Sequence, residues 1–183
     1  MEQICYEADL IVRGEVVDVY FTDVDARACI YYDFRILEVL RGDLGAGDLI
    51  TVSHYGGYVR GSVYSRVYSR RVWEKVLPDN PTDRDLVRYE IIGHSFPAVG
   101  DQYVLAIKPQ PFTEGAYTVH FDAMGRYFVY RDVYGGVTLV WRAKPYMNWF
   151  KEDKFPDVKT LDELRELVAS TPLNPTWYET VDW

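Results

Sequence analysis

The stretch ADLIVRGEVVDVYF, residues 8–21, decides the fold of this chain. Over its first half every second residue is apolar or glycine, whereas Arg13 and Glu15 stand between them, and a period of two is typical of a strand with one buried face. A glycine inside a strand usually marks a bulge or the tight bend of a barrel. We therefore expect a strand that bends, with one face turned to the core: Leu10, Val12, Gly14 and Val16.

A second alternating stretch, ACIYYDFRILEVLRG at residues 28–42, follows polar turn residues at 22–27. Apolar side chains again recur at every second position, with Tyr31, Asp33 and Arg35 between them. The two stretches predict a long antiparallel hairpin. Its second strand is expected to point these residues inward: Ile30, Tyr32, Phe34 and Ile36.

The chain has two cysteines, Cys5 and Cys29. A hairpin that turns near Val24 places Cys29 opposite Val19 or Tyr20, far from Cys5. A disulfide requires Cα atoms within about 7 Å of each other. We therefore expect two free thiols.

Further strands are predicted at 49–59, 87–93, 102–109, 116–121, 126–132 and 138–143. The stretch 62–77 has apolar spacing that fits an amphipathic helix. Its β-branched and aromatic residues have weak helix propensity, so a hairpin is the alternative interpretation. A clear helix is predicted at 160–170, with Thr160 or Asp162 as its cap. Strands in meander order after a long first hairpin predict an all-β, closed or partly open barrel with one C-terminal helix.

The 183 residues carry a net charge of −8 and are expected to form a single domain over 1–183. An acidic chain is not a typical general nucleic-acid binder, whose footprint is basic. No apolar run is long enough to predict a transmembrane segment. The N-terminus, MEQICYEADL, lacks the features of a signal peptide, and we expect the chain to be a mature or trimmed form.

Three segments carry a resemblance to a known family: ADLIVRGEVVDV (8–19), YDFRILEVLRGDLGAGDLITVSHYGG (32–57) and FPAVGDQYVLAIKP (96–109). Together they resemble the netrin-like superfamily and the tissue inhibitors of metalloproteinases (TIMPs), and more closely the secreted or surface-anchored bacterial proteins of that type. GRYFVYRD (125–132) and the C-terminal helix also fit the bacterial group. The resemblance implies an OB-like five-stranded barrel and an extracellular or cell-surface location.

The chain departs from this family in two places. The inhibitors bind the protease metal through a cysteine that is their first mature residue, whereas positions 1 and 2 here are Met and Glu, so metalloproteinase inhibition is not expected. The bacterial pattern also runs directly from the third strand toward the next, whereas this chain has an insertion at about 62–86. We refer to residues 62–86 as the insertion.

Residues 55–75 are basic and aromatic, with four Arg and one Lys against Glu74 alone, in a chain that is acidic elsewhere. Such side chains could stack on and pair with an anionic ligand, a glycan or a single strand. Alternatively, the aromatic rings pack the insertion onto the barrel and the Arg side chains solvate its outside. The predicted ligand- or partner-binding residues are Arg60, Tyr64, Arg66, Tyr68, Arg70, Arg71 and Trp73.

No hydrolase, phosphate-binding or metalloprotease motif occurs in the sequence, and we expect no catalytic residue. The histidines, His54, His94 and His120, are too scattered for a metal-binding motif, so no metal and no cofactor are expected. The aromatic tail at 171–183 either contacts a partner or covers a barrel end.

The sequence therefore favours a non-enzymatic, extracytoplasmic binding or protein-interaction module, monomeric or weakly self-associating, with an unidentified protein or glycan partner. A single-stranded nucleic-acid-binding OB protein that uses the insertion is the alternative. A hydrolase has the least support.

Overall fold

The computed structural model describes residues 8–22, 29–67, 69–89, 96–111, 113–119, 126–131, 137–140 and 160–173. In these ranges the strands are β1 (Leu10–Thr22), β2 (Cys29–Arg41), β3 (Leu49–Tyr55), β4 (Gly57–Arg60), β5 (Leu86–Tyr89), β6 (Gln102–Pro109), β7 (Ala116–Val119), β8 (Arg126–Arg131) and β9 (Val137–Val140). The helices are α1 (Gly61–Val67), α2 (Arg70–Trp73) and α3 (Leu161–Ser170). None of these helices has the length and apolar character needed to cross a membrane.

Five strands close into a barrel in the order β1-β2-β3-β7-β6, and β6 pairs back with β1. Strands β3 and β7 run parallel, whereas the other neighbouring pairs in the barrel are antiparallel. Strands β8 and β9 extend the sheet beyond β6. The predicted all-β, OB-like barrel with a C-terminal helix is confirmed. The predicted meander order is wrong, because β7 lies between β3 and β6 and runs parallel to β3.

The barrel core consists of the side chains that the alternation in β1 and β2 predicted to point inward. Apart from Gly14, which has no side chain, all of those residues are buried in one cluster, together with side chains of β3, β6 and β7. From β6 the cluster takes Tyr103, Leu105 and Ile107. Burial of this continuous apolar surface is the main force that closes the barrel.

The pairing of the first strand with β2 is irregular at Gly14, where the glycine predicted a bulge or a bend. Its pairing register with β2 shifts between Arg13 and Gly14. A Cβ atom at Gly14 would lie 2.3 Å from the carbonyl oxygen of Arg35 and 2.6 Å from a ring carbon of Phe34. The two strands can approach this closely only because the position has no side chain.

The hairpin turn lies further along the chain than predicted. Cys29 pairs with Thr22 rather than with Val19 or Tyr20, because the two strands are joined by residues 23–28 and not by a turn centred on Val24. Cys29 is a half-buried thiol and not part of a disulfide. Cys5 lies outside the described residues.

Helix α3 packs on the outside of the barrel and matches the predicted helix. Thr160 and Glu163 form a capping box at its N-terminus, in which each side chain accepts a hydrogen bond from the backbone N–H of the other residue. Its buried face covers the outer surface of β1 and β6 in a second cluster: Ala8, Ile11, Val104, Ala106, Leu161, Leu164 and Val168.

The predicted strand at 49–59 is divided at its glycine pair. Gly56 and Gly57 have φ angles of 122° and 116°, which side chains other than glycine rarely adopt. The chain therefore leaves the barrel after β3, and β4 pairs with β5 in a separate two-stranded sheet, which we call the ribbon. The helix interpretation of 62–77 is partly right, since two short helices, α1 and α2, lie there instead of one. The hairpin alternative is wrong for this stretch, because the paired strands β4 and β5 lie on either side of it.

The remaining predicted strands lie where the sequence places them, as far as the structure describes them. Strand β6 has the predicted bounds, 102–109. Strands β5, β7, β8 and β9 fall on the four other predicted stretches. Parts of those stretches, and residues 174–183 of the tail, lie outside the described residues.

Candidate functional site

The ribbon has two chemically different faces. Strands β4 and β5 pair antiparallel, with Tyr58 opposite Arg88 and Arg60 opposite Leu86. Because successive side chains of a strand alternate, Val59 and Val87 point to the other face. The four residues that flank these two valines along the strands are exposed on one face, which we call the ribbon face: Tyr58, Arg60, Leu86 and Arg88.

The opposite face of the ribbon is covered by the insertion. Val59 and Val87 form a buried cluster with Val63 and Tyr64 of α1, and Trp73 and Leu77 pack against it. This cluster is separate from the barrel core. The insertion and the ribbon therefore have a small core of their own.

The start of helix α1 is held by a tight contact with the loop before β5. The backbone N–H of Gly61 donates to the carbonyl oxygen of Asp85 over 2.5 Å. A Cβ atom at Gly61 would lie 2.9 Å from the Cβ of Asp85 and 3.0 Å from the carbonyl oxygen of Thr82. The carboxylate of Asp85 accepts hydrogen bonds from both the backbone N–H and the hydroxyl of Thr82, and these bonds lower its pKa. This loop fixes the helices under the ribbon.

Three aromatic rings meet at one end of the ribbon face. The ring centroid of Tyr58 lies 5.1 Å from that of Phe21 and 5.9 Å from that of Phe96, and the two phenylalanine rings are 5.8 Å apart. The side chain of Phe21 has no polar atom, yet the residue is 41% exposed. The Arg88 guanidinium carbon lies 4.8 Å from the centre of the Phe96 ring, a cation–π geometry. The result is an exposed apolar patch with an arginine at its edge.

Gly57 allows this patch to form. A Cβ atom there would lie 2.9 Å from a ring carbon of Phe21 and 3.2 Å from a side-chain carbon of Ile30. The chain thus passes directly over the end of the β1–β2 hairpin, and this brings Tyr58 against Phe21.

The structure separates the residues that the sequence grouped as a binding site. Arg60 lies on the ribbon face, where its guanidinium is 3.8 Å from the Asp83 carboxylate. Tyr64 is 8% exposed and belongs to the insertion's core, and Trp73 packs partly buried against that core. For these two aromatic residues the packing alternative is the better description, although they pack against the ribbon and not against the barrel.

The other predicted arginines are exposed on the helices. The Nε of Arg66 donates to the Ser62 carbonyl oxygen over 3.0 Å. Arg70 pairs with Glu74 at 3.5 Å, one helical turn along. Arg71 is exposed, and Tyr68 lies outside the described residues. These arginines do not lie on the same surface as the ribbon face, because the insertion's core lies beneath the ribbon, on the side of the helices.

Four residues of the exposed patch were not among the predicted binding residues: Phe21, Tyr58, Arg88 and Phe96. A signal for two of them was present, because Tyr58 and Arg88 alternate with Val59 and Val87 in two short stretches that can pair. Phe21 and Phe96 come from distant parts of the chain, and only the barrel brings them to the ribbon.

The histidines do not form a described metal site. His54 is buried on β3, and its ring lies 5.8 Å from that of Tyr32. His94 and His120 lie outside the described residues. Among the residues that are described, no three His, Cys, Asp or Glu side chains are grouped so as to hold a metal ion.

No protein-family model matches the chain, and no curated protein matches it at a significant level.

Proposed function

We propose that this protein is a non-enzymatic binding module that acts outside the cytoplasm and docks a protein partner on its ribbon face. The observation that supports the proposal is the exposed aromatic group of Phe21, Tyr58 and Phe96 with Arg88 beside it. Exposed aromatic and arginine side chains are enriched in protein interfaces and supply most of their binding energy.

The partner segment is extended and acidic. Within the described residues the ribbon has only two strands, and a sheet of two strands offers its edges to an added strand. On its face, apolar and cationic side chains alternate, with Tyr58 beside Arg88 and Leu86 beside Arg60. On an extended segment, a carboxylate and an apolar side chain two residues apart point to the same face and complement this pattern.

The extracytoplasmic location is supported by the resemblance to netrin-like and TIMP-like bacterial proteins that are secreted or held at the cell surface. Exposure of the tagged full-length chain to an added protease in intact source cells tests it. Degradation of the tag in intact cells supports the location, and protection until the cells are broken counts against it.

The docking proposal is tested with a library of extended peptides in which acidic and apolar residues vary independently. We expect bound peptides to be enriched in acidic and apolar residues two positions apart, and the double variant Tyr58→Ala/Arg88→Ala to bind them about 10-fold or more weakly. Arg66→Ala/Arg71→Ala, on the helices, is the matched control and leaves binding unchanged. Enrichment without this two-residue spacing, or equal losses in both variants, overturns the proposal.

A single-stranded nucleic acid is the second candidate ligand, because Arg66, Arg70 and Arg71 are exposed on the insertion of an OB-like barrel. This candidate predicts that oligo(dT) binds with an affinity that falls steeply as salt is raised. It also predicts that Arg70→Ala/Arg71→Ala removes most of the binding. Binding that is absent, or that does not depend on salt, eliminates this candidate.

A further inference from the structure

The segment NPTWYETVDW, residues 174–183, has the composition that complements the ribbon face. It contains two acids, Glu179 and Asp182, and three aromatic residues, but no Lys or Arg. In an extended chain every second side chain points to the same face. On one such face the carboxylate of Glu179 therefore stands between the apolar side chains of Trp177 and Val181.

The ribbon face has the matching order of groups along β5. Arg88 lies between Leu86, two residues earlier in the strand, and the aromatic patch at the other end of the ribbon. Leu86 is 61% exposed, and the Arg88 guanidinium lies over the Phe96 ring of the patch. A cation of the ribbon face is thus flanked on both sides by apolar surface, as the Glu179 carboxylate is on the segment.

The outer edge of β5 is the place where such a segment can pair. Among the described strands, β5 pairs with β4 alone, and β4 begins against the β1–β2 hairpin. A strand added beside β5 places one residue opposite Arg88 and the residue two positions away opposite Leu86. With Glu179 opposite Arg88, either strand direction brings one of Trp177 and Val181 to Leu86 and the other toward the aromatic patch.

Helix α3 directs this segment away from the ribbon of its own molecule. Arg165, in the middle of the helix, donates to the Glu38 carboxylate of β2. The carbonyl oxygen of Thr171, at the end of the helix, accepts a hydrogen bond from Arg41, three residues further along β2. The ribbon begins at the opposite end of β2, against Ile30. The chain therefore leaves α3 heading away from the ribbon.

The length of chain between α3 and Glu179 is also too short for a contact within one molecule. The eight residues from Thr171 to Glu179 span at most about 29 Å when fully extended. Along β2, the eleven residues from Arg41 to Ile30 cover about 36 Å. A segment that follows the outside of the barrel, and that must first reverse its direction, does not bring Glu179 to Arg88. The ribbon of a second molecule has no such restriction.

We propose that the segment 174–183 of one molecule adds as a strand to β5 of a second molecule, with Glu179 opposite Arg88. This inference rests on the proposed function, because it names a partner for the same ribbon face. Burial of Trp177 and Val181 against Leu86 and the aromatic patch supplies the favourable free energy, and the pair of opposite charges sets the register. Two molecules that exchange their segments form a closed, two-fold dimer.

The test is sedimentation velocity of the full chain over a wide range of concentrations, in which we expect a reversible dimer. Arg88→Glu and Glu179→Arg each weaken dimerisation about 10-fold or more, because each places like charges opposite each other. An equimolar mixture of these two variants forms heterodimers, since both contacts then join opposite charges. Asp182→Arg, the same change of charge on the other face of the extended segment, is the matched control and dimerises as the wild type does.

Circular dichroism of each variant verifies that the fold is kept. A wild type that stays monomeric while its ribbon face binds peptides of the library overturns this inference and leaves the proposed function standing. Absence of both peptide binding and dimerisation overturns the two together. Dimerisation that survives Arg88→Glu also overturns the inference, as does a mixture of the two variants that stays monomeric, because the segment then acts within its own molecule or not at all.

Discussion

The Nη2 atom of Arg41 lies 2.6 Å from the carbonyl oxygen of Val168, so that a side chain of β2 caps the last turn of α3. The same nitrogen donates to the carbonyl oxygen of Thr171, also at 2.6 Å. The last carbonyls of a helix have no partner within the helix and carry a partial negative charge. A cation at this position therefore satisfies two of them and ties the helix to the barrel.

Replacing Arg41 tests how much this cap contributes. We expect Arg41→Ala to lower the free energy of unfolding by about 2 kcal/mol, because it removes charged hydrogen bonds to helix carbonyls. Urea unfolding followed by circular dichroism measures the loss. Arg35→Ala, at an exposed position of the same strand, is the control and is expected to change stability by about 0.5 kcal/mol or less. Equal losses in the two variants would contradict the capping role.

The contact between α3 and the hairpin also depends on pH through Glu38. Its carboxylate accepts hydrogen bonds from Arg165 at 2.7 and 2.8 Å and from Arg13 at 3.3 Å. Hydrogen bonding to Arg165 is the main cause that holds the pKa of Glu38 below its ordinary value of 4.5.

Because the pKa is lower in the folded chain, the unfolded chain takes up the proton first as pH falls. The contribution of Glu38 to stability is therefore complete above its ordinary pKa of 4.5 and is lost as pH falls through the folded value. Unfolding free energies of the wild type and Glu38→Gln, measured across this range, are expected to converge toward acid pH. Glu166→Gln, at an exposed position of α3, is measured alongside as the control. A constant gap between the wild type and Glu38→Gln would argue against the linkage.

The close approach of β1 and β2 at Gly14 predicts that even a methyl group at this position lowers stability severely. Gly14→Ala places a methyl group 2.3 Å from the Arg35 carbonyl oxygen, a distance that requires backbone movement. We expect a loss of about 3 kcal/mol or more in the free energy of unfolding. Gly45→Ala is the matched control, since its methyl group would meet only the Asp48 carboxylate, at 3.2 Å, in an exposed turn. Equal stability of the two variants would show that the barrel does not depend on this close approach.

The separate core of the insertion predicts local unfolding. Tyr64→Ala removes a large buried side chain from a cluster that does not merge with the barrel core. Amide hydrogen exchange should become faster in residues 57–67 and 86–89, while β1, β2 and β6 keep their protection. Val67→Ala, at a position that is mostly exposed, should leave both regions unchanged. Loss of protection throughout the barrel would mean that the insertion and barrel unfold as one unit.

Much of the barrel was predictable because its physical cause is local in sequence. Alternation in 8–21 and 28–42 predicted the inward residues of β1 and β2 correctly, since a one-residue shift of register would expose the whole core face. Gly14 marked the place where the pairing of the two strands is irregular. The α3 helix was predictable for the same reason, because its cap and apolar stripe are encoded within eleven residues.

The candidate site was less predictable. The sequence grouped Tyr64, Trp73 and four arginines by their proximity in the chain, yet Tyr64 and Trp73 pack with the insertion's core. Composition reveals that aromatic and basic residues are concentrated in a stretch, but it does not reveal which side of a short helix or strand will be covered.

The sequence by itself determined the strands and the C-terminal helix, because periodicity and turn residues act over a few positions. Only the tertiary structure decided which side chains share a surface. Phe21 meets Tyr58 and Phe96, and Tyr20 stacks on Tyr31, because barrel closure and a precise strand register bring distant residues together. Those contacts arise from burying the core as a whole, and no single segment encodes them.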